Sequence, residues 1–349
     1  MGYTQPAPGP PEASVKPTAI VAAALLAGFG SMALVASQPT PAPRANPFLH
    51  DVPVPPDNPY AEAKVALGAQ LFFDPRLSRD GTISCATCHD PAKAWANHDQ
   101  VDVGIDGKTG TRNSGTILDA AYMAVQFWDG RAATLEEQAL GPIENPVEMG
   151  DTLHNVVAKL SAIDGYRTQF AAVFGTGVTP DGIARAIAAF ERTVLSGPAP
   201  YDRYLAGDRS ALSPPAIRGL RIFNGKARCR TCHGGPMLSD HSFHNIGVGM
   251  DRDDPDLGRE AVTGNPRDRG RFKTPSLRNV ALTWPYMHDG SVATLAEVVA
   301  FYDRGGIANP NLDIFIMPLE LTEAEQDDLV TFLEALTGTL PAIERPALP

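Results

Sequence analysis

The chain has 349 residues, and its formal net charge of −11 excludes a nucleic-acid partner, because phosphate binding needs a basic surface. The length is sufficient for two domains that each have their own core. Glycine and proline number 32 each, so long loops are expected between the ordered elements.

The N-terminal part of the chain is expected to lie outside the folded body. Residues 1–17 are rich in proline and glycine and are predicted to be disordered. Residues 18–37 form an almost unbroken apolar run, which indicates a cleaved signal peptide or an uncleaved anchor in the inner membrane. Both alternatives stay open, and both deliver the body to the periplasm. Residues 38–57 contain many prolines and are predicted to be a linker.

The body is predicted to be all-α, because apolar residues recur at helical spacing and almost no segment alternates as a strand does. Thr134 is an expected N-cap with Glu137 three residues on, and Thr322 is the expected cap of the last helix. The predicted helices cover residues 61–72, 116–127, 134–140, 151–160, 166–174, 180–195, 217–223, 295–302 and 322–336.

All four cysteines fall in two Cys-x-x-Cys-His motifs, at 85–89 and 229–233. This motif is typical of covalent haem c attachment, in which the two thiols bind the haem vinyl groups and the histidine binds iron. Zinc binding or a redox dithiol are the alternatives, but a histidine directly after each pair favours haem. The predicted attachment residues are Cys85, Cys88, Cys229 and Cys232, and the predicted iron ligands are His89 and His233.

A predicted helix leads into each motif, so the two halves look like weak internal repeats. We therefore expect two cytochrome c-like domains, each with one covalently bound haem c. The N-terminal domain covers 58–205 and the C-terminal domain covers 206–341.

Over about 58–341 the chain resembles the bacterial dihaem cytochrome c peroxidase and MauG superfamily. The matching segments are LFFDPRLS (71–78), RNS (112–114), QFWDGRAA (126–133), VEM (147–149), PSLRNVALT (275–283) and PYMHDG (285–290). The resemblance implies an all-α pair of cytochrome domains with a calcium site between them. It further implies that the first haem reacts with hydrogen peroxide and that the second relays electrons.

The resemblance also implies roles for individual residues. Glu148 matches the family's distal acid and base, and peroxide chemistry requires one, because one oxygen loses a proton while the other gains one. Gln138 matches the distal amide, Pro142 a pocket-lining position, and Trp128 the tryptophan between the two haems. The calcium ligands match Asn113, Thr283 and Pro285, the last two through backbone carbonyls, and an oxygen-only set suits calcium.

Two positions depart from the typical peroxidase pattern. The loop before Arg112 carries Ile105 where typical members carry an iron-binding histidine, and isoleucine cannot bind iron. His98 is the other candidate in this loop. We expect the first haem to keep an open coordination position without prior reduction.

At the second haem, Tyr302 takes the place of the usual methionine, as in MauG-like members. A phenolate ligand stabilises oxidised iron, whereas methionine does the opposite. The competing ligands are Met250, Met287 and Met317.

Three functions are compatible with this pattern. The first is a periplasmic peroxidase that receives electrons from a small cytochrome c or copper protein. The second is a MauG-like oxidase that forms a bis-Fe(IV) state and oxidises a partner protein. Ala227 replaces the tryptophan through which MauG accepts electrons from its protein substrate, so that particular substrate is not supported. The third is a two-haem electron carrier, which Glu148, Gln138 and the open first iron argue against.

Overall fold

The computed structural model describes residues 1–2, 9 and 46–349, and those from Asn46 onward lie in one compact unit. The predictions for 1–17 and 18–37 concern residues that are almost all outside this described part. No helix within the described residues is long and apolar enough to cross a membrane.

The fold is rich in helices, as the periodicity predicts. The α-helices are α1 Glu62–Phe73, α2 Cys85–Cys88, α3 Leu135–Glu144, α4 Leu153–Ser161, α5 Asp164–Phe174, α6 Pro180–Glu191, α7 Pro200–Leu205, α8 Pro214–Asn224, α9 Glu260–Thr263, α10 Leu295–Asp303 and α11 Glu323–Glu334. Two short strands, β1 Phe243–His244 and β2 Phe272–Lys273, pair antiparallel. The Thr134 and Thr322 hydroxyls cap α3 and α11, which confirms both predicted caps.

The helix predicted over 116–127 is wrong, because this segment contains only a short 3-10 turn, Ala120–Tyr122. Asp119 adopts a left-handed conformation with φ of +58°. Its carboxylate accepts hydrogen bonds from the backbone N–H and hydroxyl of Ser196, at 3.0 and 2.5 Å. The backbone conformation of this segment is therefore set by a contact with a residue 77 positions away in the sequence. The spacing of apolar residues within the segment carries no information about that contact.

Each half is built around one close crossing of two helices. In the first half α1 crosses α6 at Gly68, where a Cβ would lie 1.8 Å from the carbonyl oxygen of Ala186. In the second half α8 crosses α11 at Gly219, where a Cβ would lie 2.0 Å from the carbonyl oxygen of Asp328. Only glycine lets the two backbones approach this closely.

Separate clusters of buried apolar side chains surround the two crossings. The first cluster runs from Leu67 to Val194 and the second from Phe223 to Leu336. The proline-rich segment also contacts the body, since Leu49 and Val52 are buried beside Tyr122, Leu195 and Met237.

A second repeated unit follows each haem motif, and its corresponding residues in the two halves, such as Gln126 and Tyr286, lie 160 positions apart. Backbone bridges join Gln126 to Ala132 and Tyr286 to Val292. Helices α3 and α10 follow these bridges, and both begin after a threonine cap. This register places Pro142 of α3 and Tyr302 of α10 at equivalent positions.

The C-terminal residues cross from the second half back to the first. Gly197 N–H donates to the Thr339 carbonyl at 2.8 Å. Beyond it, Arg345 donates to the Phe73 carbonyl at 3.3 Å, and Gln70 donates to the Ala347 carbonyl at 3.1 Å. We call residues 339–349 the C-terminal strap.

Replacing Gly219 by alanine is expected to destabilise the protein by about 1–3 kcal/mol or more, because the new Cβ pushes α8 away from α11. Gly177→Ala is the matched control, since no atom lies within 4 Å of the added Cβ. Urea unfolding of the holoprotein measures the free energy of unfolding of both variants. Equal midpoints for the two variants would contradict the crossing argument.

Candidate active site

The first Cys-x-x-Cys-His motif lies on the wall of a cavity of about 330 Å³. Cys85 to Cys88 form α2, and the Ser84 N–H at its start donates to the Thr87 hydroxyl at 3.0 Å. Neither cysteine is in a disulfide, and burial raises the pKa of Cys85 to about 12. Two free thiols and a histidine on one wall fit covalent attachment of a haem.

The second motif has a histidine whose tautomer is fixed. His233 Nδ1 lies 3.0 Å from the carbonyl oxygen of Leu238, and a carbonyl only accepts, so Nδ1 carries the proton. Burial lowers the pKa of His233, which keeps the ring neutral. Nε2 therefore holds the free lone pair that an iron ligand requires.

A metal-binding alternative exists beside this motif. Cys232, Asp240 and His244 bring one ligand atom each within 4.8 Å of one another. His244 also lies 2.6 Å from an Asp313 carboxylate oxygen. Attachment of haem through Cys232 removes its thiolate from this set, so haem and metal binding exclude each other here.

Glu148 lines the first cavity and is held from several sides. Its carboxylate accepts a 2.6 Å hydrogen bond from the Asn145 side chain. Its backbone carbonyl accepts from Ile105 N–H at 2.8 Å. Gly104 lies so close that a Cβ there would be 2.1 Å from the Val147 carbonyl oxygen. The loop before Arg112 thus fixes the backbone that presents the carboxylate.

The environment of Glu148 favours a protonated carboxyl more than water does. Burial raises its pKa, while Arg131 and the Asn145 hydrogen bond oppose that shift and Asp102 adds to it. A carboxyl whose pKa is raised toward neutrality exchanges protons more readily at physiological pH.

Gln138 and Pro142 line the same cavity from one face of α3, four residues apart. A cation and an aromatic ring, Arg131 and Phe127, also line the cavity. The Arg131 guanidinium lies 3.5 Å from the centre of the Phe127 ring. The structure therefore brings the predicted distal residues Glu148, Gln138 and Pro142 together with the first motif.

Trp128 lines the cavity where residues of both halves meet. Its indole N–H donates to the Asn113 carbonyl at 2.8 Å, and its own carbonyl accepts from Lys273 N–H at 2.7 Å. One tryptophan is thus fixed by a segment of each half.

Ile105 is fully buried, and its side chain lies against Gly150, two residues after Glu148. His98 is engaged elsewhere, because its Nε2 lies 3.0 Å from the Leu282 carbonyl oxygen and its ring stacks on Trp284 at 4.1 Å. Neither residue contributes to the lining of the cavity.

Tyr302 lies close to the second motif. Burial raises the pKa of its phenol well above the ordinary range, and the neighbouring Cys229 and Cys232 raise it further. Of the competing methionines, Met317 is 40 % exposed and its sulfur accepts a hydrogen bond from Arg228.

The three predicted calcium ligands line the same cavity. The Asn113 side-chain amide donates to the carbonyls of Asp99 and Gln100, at 3.1 and 3.3 Å, and this orientation leaves its oxygen available. Thr283 and Pro285 flank Trp284, and the Trp284–Pro285 peptide bond is cis. An amide oxygen and two backbone carbonyls form an oxygen-only donor set.

Two ionisable residues in this cavity were missed by sequence reasoning. Glu191, at the end of α6, is 3 % exposed, and its Oε2 has no hydrogen-bond partner among the described residues. Burial raises the pKa of Glu191 to about 8. Burial also lowers the pKa of Lys273 to about 8. Glu191 lies in the largely apolar helix α6, and Lys273 lies in a short strand between loops. Only tertiary contacts therefore identify the two residues as buried ionisable groups.

Glu191 makes stability fall as pH rises. The carboxyl stays protonated in the folded state up to about pH 8, whereas an unfolded glutamate ionises near pH 4.3. Its stabilising contribution is complete below pH 4.3 and is lost as pH rises to 8. Glu191→Gln is expected to reduce the loss of unfolding free energy between pH 5 and 8 by about 3 kcal/mol.

Urea unfolding of the holoprotein at the two pH values measures this difference. Glu334→Gln, on the exposed end of α11, is the matched control and should follow the wild type. An identical pH dependence for Glu191→Gln and wild type would refute the buried protonated carboxyl.

Comparisons with known proteins agree with this site. A family model described as di-haem cytochrome c peroxidase matches residues 62–210. Methylamine utilization protein MauG of Methylorubrum extorquens is 43 % identical over 303 residues, which cover 85 % of each chain. Cytochrome-c peroxidase IdrP1 of Denitromonas iodatirespirans is 42 % identical over 333 residues, which cover 86 % of this chain and 89 % of the relative.

Solved structures agree as well. A MauG-like protein associated with microbial copper homeostasis superposes with a TM-score of 0.78 and 36 % identity, over 84 % of this chain and 94 % of that one. Similarity at this level extends over both haem motifs and over the residues between them. The chain therefore belongs to the dihaem cytochrome c peroxidase family, in which its relatives include both MauG proteins and named peroxidases.

Proposed function

We propose that this protein reduces hydrogen peroxide to water in the first cavity, with electrons that arrive through the second haem. The observation that carries the proposal is Glu148, a buried carboxyl with a raised pKa in the same cavity as Cys85, Cys88 and His89. A protein that only carried electrons would have no use for such a group.

Family membership implies two haem c groups. Cys85, Cys88 and His89 would hold the first, and Cys229, Cys232, His233 and Tyr302 the second. When bound, the haem irons supply the two electrons that the cleavage of the O–O bond consumes.

The residues of the chain then handle the protons. The Glu148 carboxylate takes the proton from one peroxide oxygen and returns it to the other, which leaves as water. Gln138 orients the peroxide with its side-chain amide. The whole reaction consumes hydrogen peroxide, two electrons and two protons and yields two waters.

Trp128 is the proposed relay between the halves. Its backbone and indole are bonded to Lys273 and Asn113, so its ring is held at the junction where electrons pass. We assign 58–205 as the peroxide-reducing domain and 206–341 as the electron-transfer domain.

The proposed setting is the periplasm, where haem c proteins are assembled and where a small cytochrome c or copper protein would supply electrons. Residues 18–37 would serve as signal peptide or inner-membrane anchor. We further propose one calcium ion on Asn113, Thr283 and Pro285, which lie beside Trp128 in the same cavity.

A second candidate function is MauG-like oxidation of a partner protein. Two observations favour it. Tyr302 lies beside the second motif, and the only histidine in the loop before Arg112 is bonded to Leu282. Reaction of peroxide with the fully oxidised enzyme, without prior reduction, would support this candidate, whereas a requirement for half-reduction would support ordinary peroxidase turnover.

Glu148→Gln is expected to lower kcat/KM for hydrogen peroxide by about 10² to 10⁴-fold, because amide cannot exchange the proton. In the wild type, kcat/KM should fall as pH drops through the raised pKa of Glu148, and this limb should disappear in the variant. Glu144→Gln, on an exposed part of the same segment, is the control. Unchanged turnover in Glu148→Gln would exclude its role as acid and base.

Tyr302→Phe is expected to change the electron paramagnetic resonance spectrum of the second haem and to raise its reduction potential, because phenolate stabilises oxidised iron. Tyr286→Phe is the control, since the Tyr286 hydroxyl donates to the Val280 carbonyl at 3.1 Å. A spectrum that Tyr302→Phe leaves unchanged would point to a methionine ligand instead.

A further inference from the structure

Three large apolar side chains are exposed within four residues of one another, outside the cavity. Ile314, Phe315 and Met317 are 80, 48 and 40 % exposed. Single exposed apolar residues are common on protein surfaces, but a contiguous group of them marks an interaction site.

This exposure does not result from a loosely attached loop. Asp313 N–H donates to the Asn245 carbonyl at 2.9 Å, and Leu319 N–H donates to the Asp303 carbonyl at 2.9 Å. Between these two anchors, Ile316 points inward, where its side chain lies against Gly306. The three exposed side chains are therefore presented by a segment that is fixed at both ends.

The segment lies beside the second haem motif. Met317 Sδ accepts a hydrogen bond of 3.4 Å from Arg228, which directly precedes Cys229. Gly305, three residues after Tyr302, lies so close that a Cβ there would be 3.1 Å from the Met317 carbonyl carbon. The exposed group thus adjoins both the attachment residues and the helix end that carries Tyr302.

Two arginines border the apolar group. Arg228 contacts Met317, and Arg304 directly precedes Gly305 at the end of α10. Both are exposed, and within residues 46–349 neither forms an ion pair. The neighbouring Asp313 is paired at 2.6 Å with His244, which also pairs with Asp240, and Glu320 is the exposed carboxylate on this segment. Two unpaired cations here contrast with the net charge of −11 of the chain.

We propose that Ile314, Phe315, Met317, Arg228 and Arg304 form a docking patch for a small acidic redox protein. The patch would receive a partner with an apolar centre and a rim of carboxylates. This proposal rests on the proposed function, because it names the source of the electrons for the second haem.

The charges decide between occupants. A second copy of this chain related by a two-fold axis would bring Arg228 and Arg304 toward their own equivalents, and like charges oppose such contact. A basic donor would meet the same repulsion. An acidic partner gains attraction at the rim and burial of apolar surface at the centre, which is the usual composition of a transient interface.

Binding of plastocyanin, a small acidic copper protein, to the holoenzyme tests the patch. It is measured by calorimetric titration at low ionic strength and without peroxide. The double variant Arg228→Glu/Arg304→Glu is expected to raise the Kd at least tenfold, and Ile314→Ser/Phe315→Ser should raise it similarly. The controls are Arg167→Glu on α5 and Leu205→Ser on α7, which carry equivalent changes on other exposed positions. Binding of the wild type should also weaken as salt rises.

Weaker binding confined to the patch variants supports the proposal. Equal Kd values for wild type and patch variants, no salt-dependent binding to the wild type, or equal binding of basic mitochondrial cytochrome c would overturn it. A separate assay follows peroxide consumption with hydroquinone as an uncharged donor. If the wild type consumes no peroxide in that assay, the proposed function is refuted. The binding results would still show whether the docking patch exists.

Discussion

Both halves of this structure depend on direct backbone contact between two helices. At Gly219 the α8 backbone touches the Asp328 carbonyl, and Arg218 beside it holds the Asp328 carboxylate at 2.6 and 2.7 Å. Gly68 makes the corresponding contact in the first half. Each crossing fixes the helix that leads into a Cys-x-x-Cys-His motif, so the thiols and histidines acquire their positions from these contacts.

The two halves share this frame but differ at one equivalent position. Pro142 in α3 has no N–H and no ligand atom, so this helix leaves space above the first motif. Tyr302 occupies the equivalent position of α10 and brings a phenol to the second motif. The chain beyond Pro142 then turns back, and Met149 and Asp151 N–H groups bond to the carbonyls of Pro142 and Ile143. That turn delivers Glu148 to the space that the proline leaves open.

The local features of this protein could be predicted from its sequence, whereas the long-range ones could not. The haem motifs and the Thr134 and Thr322 caps are short patterns whose chemistry is complete within a few residues. The segment around Asp119 fails as a helix because Ser196 holds it, and no local pattern carries that information. Glu191 was missed for a related reason: it lies within a predicted helix, where helical spacing does not show that its carboxyl is buried, and only packing against the cavity excludes water from it. The roles of Glu148 and Gln138 came from family resemblance, and the structure adds the contacts that hold Glu148.

The C-terminal strap couples the two halves of the structure. Gln70 and Phe73 of α1 are hydrogen-bonded to Ala347 and Arg345, which follow α11 along the chain. A displacement of α11 in the second half is therefore transmitted through the strap to α1 in the first half. The helix that leads into the first Cys-x-x-Cys-His motif thus depends on residues that lie beyond the second motif.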